Sequence, residues 1–153
     1  MPAAEPFTAS VHIDARPERV FEYFTRAEAM VRWMGDYAVL DARPGGEFTV
    51  DINGVPVRGR YLEIEPPHRL VISWGHAGSE ELPPGASTLE VKLSAEGGGT
   101  TIEIVHRGLP EPEARQHAVG WAHFLDRLAV AGAGGDPGPD PWARSGSPAD
   151  TRT

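Results

Sequence analysis

The order of signals in the first third of the chain constrains the fold more than any single motif does. Phe7, Ala9, Val11 and Ile13 alternate with Thr8, Ser10, His12 and Asp14, and period two over such a stretch makes a strand with one buried face. Ala15-Arg16-Pro17-Glu18-Arg19-Val20-Phe21 comes next, with Asp14 offering a side-chain cap and Pro17 suited to a first helical turn. Val20, Phe21 and Phe24 form a short apolar stripe, and a second short helix is expected from Ala27 to about Trp33, ending near Gly35. Pro44-Gly45-Gly46 then turns the chain into Glu47-Phe48. A strand, two short helices and a glycine hairpin in that order open a sheet that must wrap around a later helix, and such a wrap leaves a pocket.

Strand signals fill the middle of the chain. Tyr37 to Asp41 can pair with the segment in which Phe48, Val50 and Ile52 alternate with polar neighbours. Asn53-Gly54 is a strong two-residue hairpin signal. Val55 to Ile64 is the return strand, and Gly59 inside it predicts a bulge or a close backbone approach. Pro66-Pro67 turns the chain into Leu70-Val71-Ile72-Ser73-Trp74, and Gly75 to Gly85 reads as a loop. Two more alternating runs, through Leu89, Val91, Leu93 and through Ile102, Ile104, His106, flank the turn Gly97-Gly98-Gly99. The last element is a helix from about Pro112 to Ala131, with Ala114, Ala118, Trp121, Leu125 and Leu128 on one stripe. Gly120 lies inside it, where glycine costs about 1 kcal/mol relative to alanine. Close packing of sheet or ligand against the helix backbone is the natural offset. From Gly132 the composition turns to Gly, Pro, Asp, Ser and Arg, an irregular tail in which Trp142 is expected to dock on the body and to order the chain to about Ala143.

Length and composition bound the partners. The 153 residues suit one domain with a tail, divided here into an N-terminal extension (1–6), the domain (7–131) and the tail (132–153). No run approaches the roughly 20 apolar residues of a membrane helix, and Met-Pro-Ala-Ala-Glu-Pro is not built like a signal peptide. The chain has no cysteine, hence no disulfide, thiol nucleophile or cysteine zinc site, which fits a cytoplasmic protein. A net charge of -8 disfavours nucleic acid and anionic membrane surfaces. The histidines at 12, 68, 76, 106, 117 and 123 include no pair four apart, so no helical zinc site of the HExxH kind is present. No metal or other cofactor is expected. Glu80-Glu81, Glu111 and Glu113 read as solvated surface.

The whole pattern resembles the helix-grip fold of the START-like (SRPBCC) superfamily, and within it the homologues of the activator of heat-shock protein 90 ATPase (AHSA-type). The resemblance is carried by Ala15–Phe21, Trp33-Met34-Gly35, Pro44-Gly45-Gly46, Arg58-Gly59-Arg60-Tyr61-Leu62, Pro66-Pro67-His68-Arg69-Leu70 with Trp74, Ile102–Leu109, and Gly120-Trp121-Ala122-His123-Phe124-Leu125. It implies an α+β fold: a curved antiparallel sheet of about seven strands wrapped around a long C-terminal helix, with two short helices after the first strand. It also implies a cavity between sheet and helix suited to an apolar or aromatic small molecule, as in relatives that carry lipids or sterols or close polyketide rings. The family offers no shared catalytic signature to carry over, and a chaperone partner follows from the resemblance alone.

Seven residues are the candidates to line that cavity: Trp33, Tyr61, Trp74, His106, His117, Trp121 and Phe124. His106 shares the parity of Ile102 and Ile104 and so points inward, where it could orient a carbonyl or act as acid or base; its plainer role is a hydrogen-bonded core histidine. His117 and Trp121 are one helical turn apart, near Phe124, and make an aromatic wall with one polar head; core packing would use the same residues. Trp33 is placed for a pocket rim. Tyr61 and Trp74 each carry a polar handle that needs a partner when buried. The leading functional reading is a module that binds a small hydrophobic or aromatic ligand. The alternatives are a cyclase/aromatase- or hydrolase-like enzyme using His106 with Tyr61 or a carboxylate, and a chaperone ATPase co-factor or stress-response protein. Homodimerisation stays open.

Overall fold

The computed structural model describes residues 6–142; the first five residues and those from Ala143 onward, which include parts of the expected extension and tail, lie outside the described residues. The elements of the described residues follow in the order β1 (Phe7–Ile13), α1 (Pro17–Glu22), α2 (Ala27–Met30), β2 (Tyr37–Leu40), β3 (Glu47–Ile52), β4 (Val55–Glu65), β5 (Arg69–His76), β6 (Ser87–Glu96), β7 (Gly99–Arg107) and α3 (Glu111–Gly132). The strands form one antiparallel sheet in the order β1-β7-β6-β5-β4-β3-β2. This is the START-like α+β architecture that the sequence predicts. No helix among the described residues is long and apolar enough to cross a membrane.

Local chemistry accounts for the turns. Asn53 and Gly54 both have positive φ (52° and 90°), as do Gly97 and Gly98 (59° and 83°). Two successive left-handed residues match the twist of the strands they join. Gly59 pairs with Phe48 across β3 and β4, and a Cβ there would overlap the carbonyl oxygen of Ser73 on β5. The glycine is therefore a close-approach position, and the register shift of β4 against β5 falls just beyond it, between Tyr61 and Glu63. Three details differ from expectation. Arg16, not Asp14, holds the N-cap position of α1, without a side-chain cap bond. The second helix ends at Met30 and continues to Trp33 only as turns. β5 runs on through Gly75 to His76, because the segment beyond folds back on it: Pro83 lies where a Cβ of Gly75 would be.

The inner face of the sheet and the buried stripe of α3 share one core. Trp121, Phe124, Leu125, Leu128, Ala131 and Gly132 are the buried positions of the helix, at the spacing of an amphipathic helix. The C-terminal end of α3 sits tight on the sheet and on α1. Gly132 faces the Ile13 side chain of β1 so closely that an added Cβ would meet Cγ2 at 2.8 Å, and the Tyr23 hydroxyl donates to the Ala131 carbonyl at 2.9 Å. Gly120, three turns earlier, has nothing within 4 Å of an added Cβ. The expected close packing against the helix backbone at Gly120 is thus replaced by open space. A helix pinned at one end and standing free at Gly120 leaves a wedge under its first half.

Candidate functional site: an aromatic cavity under the first half of the C-terminal helix

The wedge is a cavity of about 70 Å³. Its helix wall is Gln116, His117, Gly120, Trp121 and Phe124; its sheet wall is Ile52, Val55, Val57, Trp74 and His76; Met34 and Trp142 complete it. Trp74 is central, with its ring centroid 5.5 Å from Trp121, 5.4 Å from His106, 5.8 Å from Phe48 and 6.2 Å from His117. None of these wall residues carries an ordinary ionised group. Two larger hollows, of about 250 and 450 Å³, are lined instead by groups such as Arg32, Asp36 and Arg127, or Glu47, Arg58 and Arg60. Their arginines are already engaged: Arg127 donates to backbone carbonyls, Arg58 to Asp51 and Arg60 to the Gly45 carbonyl. The smaller, apolar wedge has the lining of a small-molecule site.

On and just behind the cavity wall, two indole N–H groups set the state of two histidines. Trp121 Nε1 donates to His106 Nδ1 at 3.1 Å. An indole N–H can only donate, so Nδ1 bears no proton and the remaining nitrogen, Nε2, carries it. Nε2 lies 2.9 Å from Ser87 Oγ, which in turn donates to the Trp74 carbonyl at 2.8 Å. Likewise Trp74 Nε1 donates to His117 Nε2 at 3.2 Å, and His117 Nδ1–H faces the Glu113 carbonyl at 2.8 Å. Both imidazoles are fixed neutral, each in a defined tautomer. Electrostatics agree. Burial, then the neighbouring His117 and His76, push His106 well below the ordinary histidine value. Burial also lowers His117, against the opposing effect of its bond to Glu113. His76, stacked on His117 with centroids 5.5 Å apart, is lowered to about 4 by burial and then by His117.

Four of the seven sequence candidates come together on the cavity wall: Trp74, His117, Trp121 and Phe124. The other three are held elsewhere. His106 lies behind Trp74 and Trp121 with both ring nitrogens engaged. Tyr61 is fully buried and its hydroxyl donates to the Phe24 carbonyl at 2.7 Å. Trp33 is fully buried rather than at a rim: its N–H donates to the Tyr23 carbonyl at 3.0 Å and its ring meets Phe24 edge-on. Glu113, expected on solvated surface, is partly buried beside His117, and burial, then Glu81, raises its pKa. No group of three or more His, Asp or Glu side chains among the described residues is arranged to hold a metal ion.

The tail supplies the last wall. Trp142 stacks flat on His123, with centroids 3.7 Å apart and planes 11° apart, and meets Phe124 edge-on. Asp140 latches the segment in place: it accepts from His123 Nε2 at 2.8 Å, from the Trp142 backbone N–H at 3.0 Å and from Asn53 Nδ2 at 3.2 Å. Burial acts to raise the pKa of Asp140, but these three bonds and the nearby His123 together outweigh it and lower the value.

With this geometry in view, likeness to known proteins becomes informative. The family described as Activator of Hsp90 ATPase homolog 1-like protein matches residues 14–132, which span both short helices, most of the sheet and α3. The chain belongs to this family. Among solved structures, the AHSA1-like protein RHE_CH02687 from Rhizobium etli is 41% identical, with a TM-score of 0.70 over 93% of this chain and 91% of that one. CalU16 from Micromonospora echinospora is 31% identical, with a TM-score of 0.69 over 84% of this chain and 76% of that one. The human activator of 90 kDa heat shock protein ATPase homolog 1 is 28% identical over 110 residues, or 71% of this chain. The chain spans 31% of that relative's length. The Activator of Hsp90 ATPase homolog 1-like match ends at Gly132, so Asp140 and Trp142 lie beyond the residues it covers.

Sequence reasoning missed His76, Gln116, Met34 and the three aliphatic residues Ile52, Val55 and Val57. A signal for His76 exists: Leu70, Ile72, Trp74 and His76 keep one parity, and only the intervening Gly75 suggests that the strand has ended.

Proposed function

We propose that this chain binds a small apolar or aromatic molecule between the sheet and the first half of α3. The observation that carries the reading is the wall itself: aromatic and aliphatic side chains with a few neutral polar groups, closing on a glycine that stands free inside a helix. The polar edges of the Trp74 and Trp121 indoles are already paired, so ring faces are what these two offer a guest. At about 70 Å³ the space is about half that of a roughly 150 Å³ cavity that takes benzene. A ring-sized guest therefore requires a wall to yield. We expect Trp142, half-buried and carried on the segment after α3, to be the wall that moves. A cytoplasmic location, drawn from the cysteine-free composition, accompanies the reading.

A thermal-shift screen of apolar and aromatic metabolites tests it. A ligand of the proposed class raises the melting temperature in proportion to the logarithm of its concentration above Kd. A screen in which no such compound shifts the transition would count against the proposal.

The family match favours a second reading, stimulation of a 90 kDa heat-shock protein's ATPase. The ATPase rate of such a chaperone, measured with and without this chain, decides it: an unchanged rate removes the reading. The catalytic alternative needs His106 with Tyr61 or a carboxylate free in the cavity, and both side chains are bonded elsewhere.

A further inference from the structure

The central polar groups of the cavity wall are paired with one another and with the backbone. Trp74, Trp121 and His117 use their ring nitrogens on one another, on His106 and on Glu113. His76 differs. Its backbone N–H bonds the Leu82 carbonyl, and its imidazole stacks on His117, but among the described residues the His76 ring makes no hydrogen bond. Among the described residues, the Gln116 side chain and the Trp142 indole N–H are the other wall groups without a hydrogen bond; Trp142 can only donate, whereas an imidazole does both. The wall contains no Lys, Arg, Asp or Glu.

These facts select the guest. A carboxylate or phosphate entering this wedge would lose its hydration and gain no counter-charge, which is costly. A purely apolar ring would fit the faces but make no use of the partly buried His76 ring. A neutral imidazole has one donor and one acceptor nitrogen, and burial keeps His76 neutral down to about pH 4. A hydroxyl, which both donates and accepts, matches it in either tautomer.

We infer that the cavity takes an uncharged ring bearing a hydroxyl or similar hydrogen-bonding group, and that His76 is the residue that reads that group. The inference rests on the wedge being the ligand site, as proposed above, and adds the charge class of the ligand and the specificity residue.

The test uses the full chain and three one-ring probes that share a shape: phenol, toluene and benzoate, each followed by amide chemical-shift titration. Phenol is expected to bind about threefold to tenfold more tightly than toluene, the yield of one net hydrogen bond. Benzoate is expected to bind at least about tenfold more weakly than phenol. His76→Phe brings phenol down to the toluene level and leaves toluene within about twofold. His76→Gln keeps part of the preference and also checks that the site survives substitution. A preference lost in Gln116→Leu but kept in His76→Phe would give the role to Gln116 and overturn the assignment. Equal affinity for phenol and toluene, a preference that survives His76→Phe, or benzoate binding as tightly as phenol would each overturn the assignment. If toluene binds but phenol binds no better, only the role of His76 falls. If no probe enters the wedge, the binding reading falls with it.

Discussion

Trp121 donates its indole N–H to Nδ1 of His106 across 3.1 Å, and this one bond decides what His106 can do. A nitrogen that must accept from an indole cannot be protonated while the bond lasts. The tautomers are directly observable. Long-range proton–nitrogen correlation spectra should show His106 protonated on Nε2 and His117 on Nδ1. The converse tautomer in either ring would contradict the hydrogen-bond order.

Trp121→Phe tests the same bond energetically. The variant keeps an aromatic ring but leaves a buried imidazole nitrogen without its donor. An unsatisfied buried acceptor costs about 1–3 kcal/mol, so the urea midpoint should fall accordingly. A midpoint unchanged from the parent would mean the bond contributes nothing.

The three lowered histidines fix a pH dependence. His76, His106 and His117 take up protons more readily unfolded than folded. Stability from keeping them neutral is fully present above the unfolded value of about 6.5 and is lost as pH falls from there towards the depressed folded values, about 4 for His76. The melting temperature should therefore drop through the weakly acidic range, before most carboxylates titrate. His76→Phe should flatten part of that slope. A melting temperature that stays level through this range would contradict the neutral cluster.

Gly120 separates stability from binding. It is an interior helical glycine with no packing neighbour at its Cβ position, so Gly120→Ala should stabilise the fold by up to about 1 kcal/mol. The added methyl intrudes on the cavity wall, and Gly120→Leu fills it. Ligand affinity should fall in the order glycine, alanine, leucine while the melting temperature does not fall with it. Affinity that is indifferent to the series would place the ligand elsewhere.

Asp140 tests the tail as a wall. Asp140→Ala removes acceptors for His123, Asn53 and the Trp142 backbone. Trp33, Trp74 and Trp121 are buried, so the gain in acrylamide quenching expected in the variant comes from Trp142. The Asp140 pKa is lowered in the folded chain, so the latch is complete above the ordinary carboxylate value and is lost as pH falls through the depressed one. Quenching identical to the parent would show that the carboxylate does not hold the tail.

Much of the fold was legible because period two ran unbroken through most strands: Phe7 to Ile13, Phe48 to Ile52 and Leu89 to Leu93 each announce an inner and an outer face. The long helix was legible from its stripe. The site was only partly so. Trp74, His117, Trp121 and Phe124 could be placed by parity and helical spacing. Whether His106 faces a void or two indoles depends on how far α3 stands off the sheet, which no local pattern encodes. Gly75 hid His76, because a glycine that admits a folded-back loop looks the same in sequence as one that ends a strand. Asp14 offered a cap by composition, yet the chain direction after β1 put Arg16 at that position.

The most direct test is to locate a bound ring. Intermolecular nuclear Overhauser effects from a saturating aromatic ligand should reach the Val57 methyls, the Gly120 α-protons and the Trp121 indole together, since these line one wedge. Effects confined to exposed apolar residues such as Val39 or Leu62, with none at Gly120, would contradict the account.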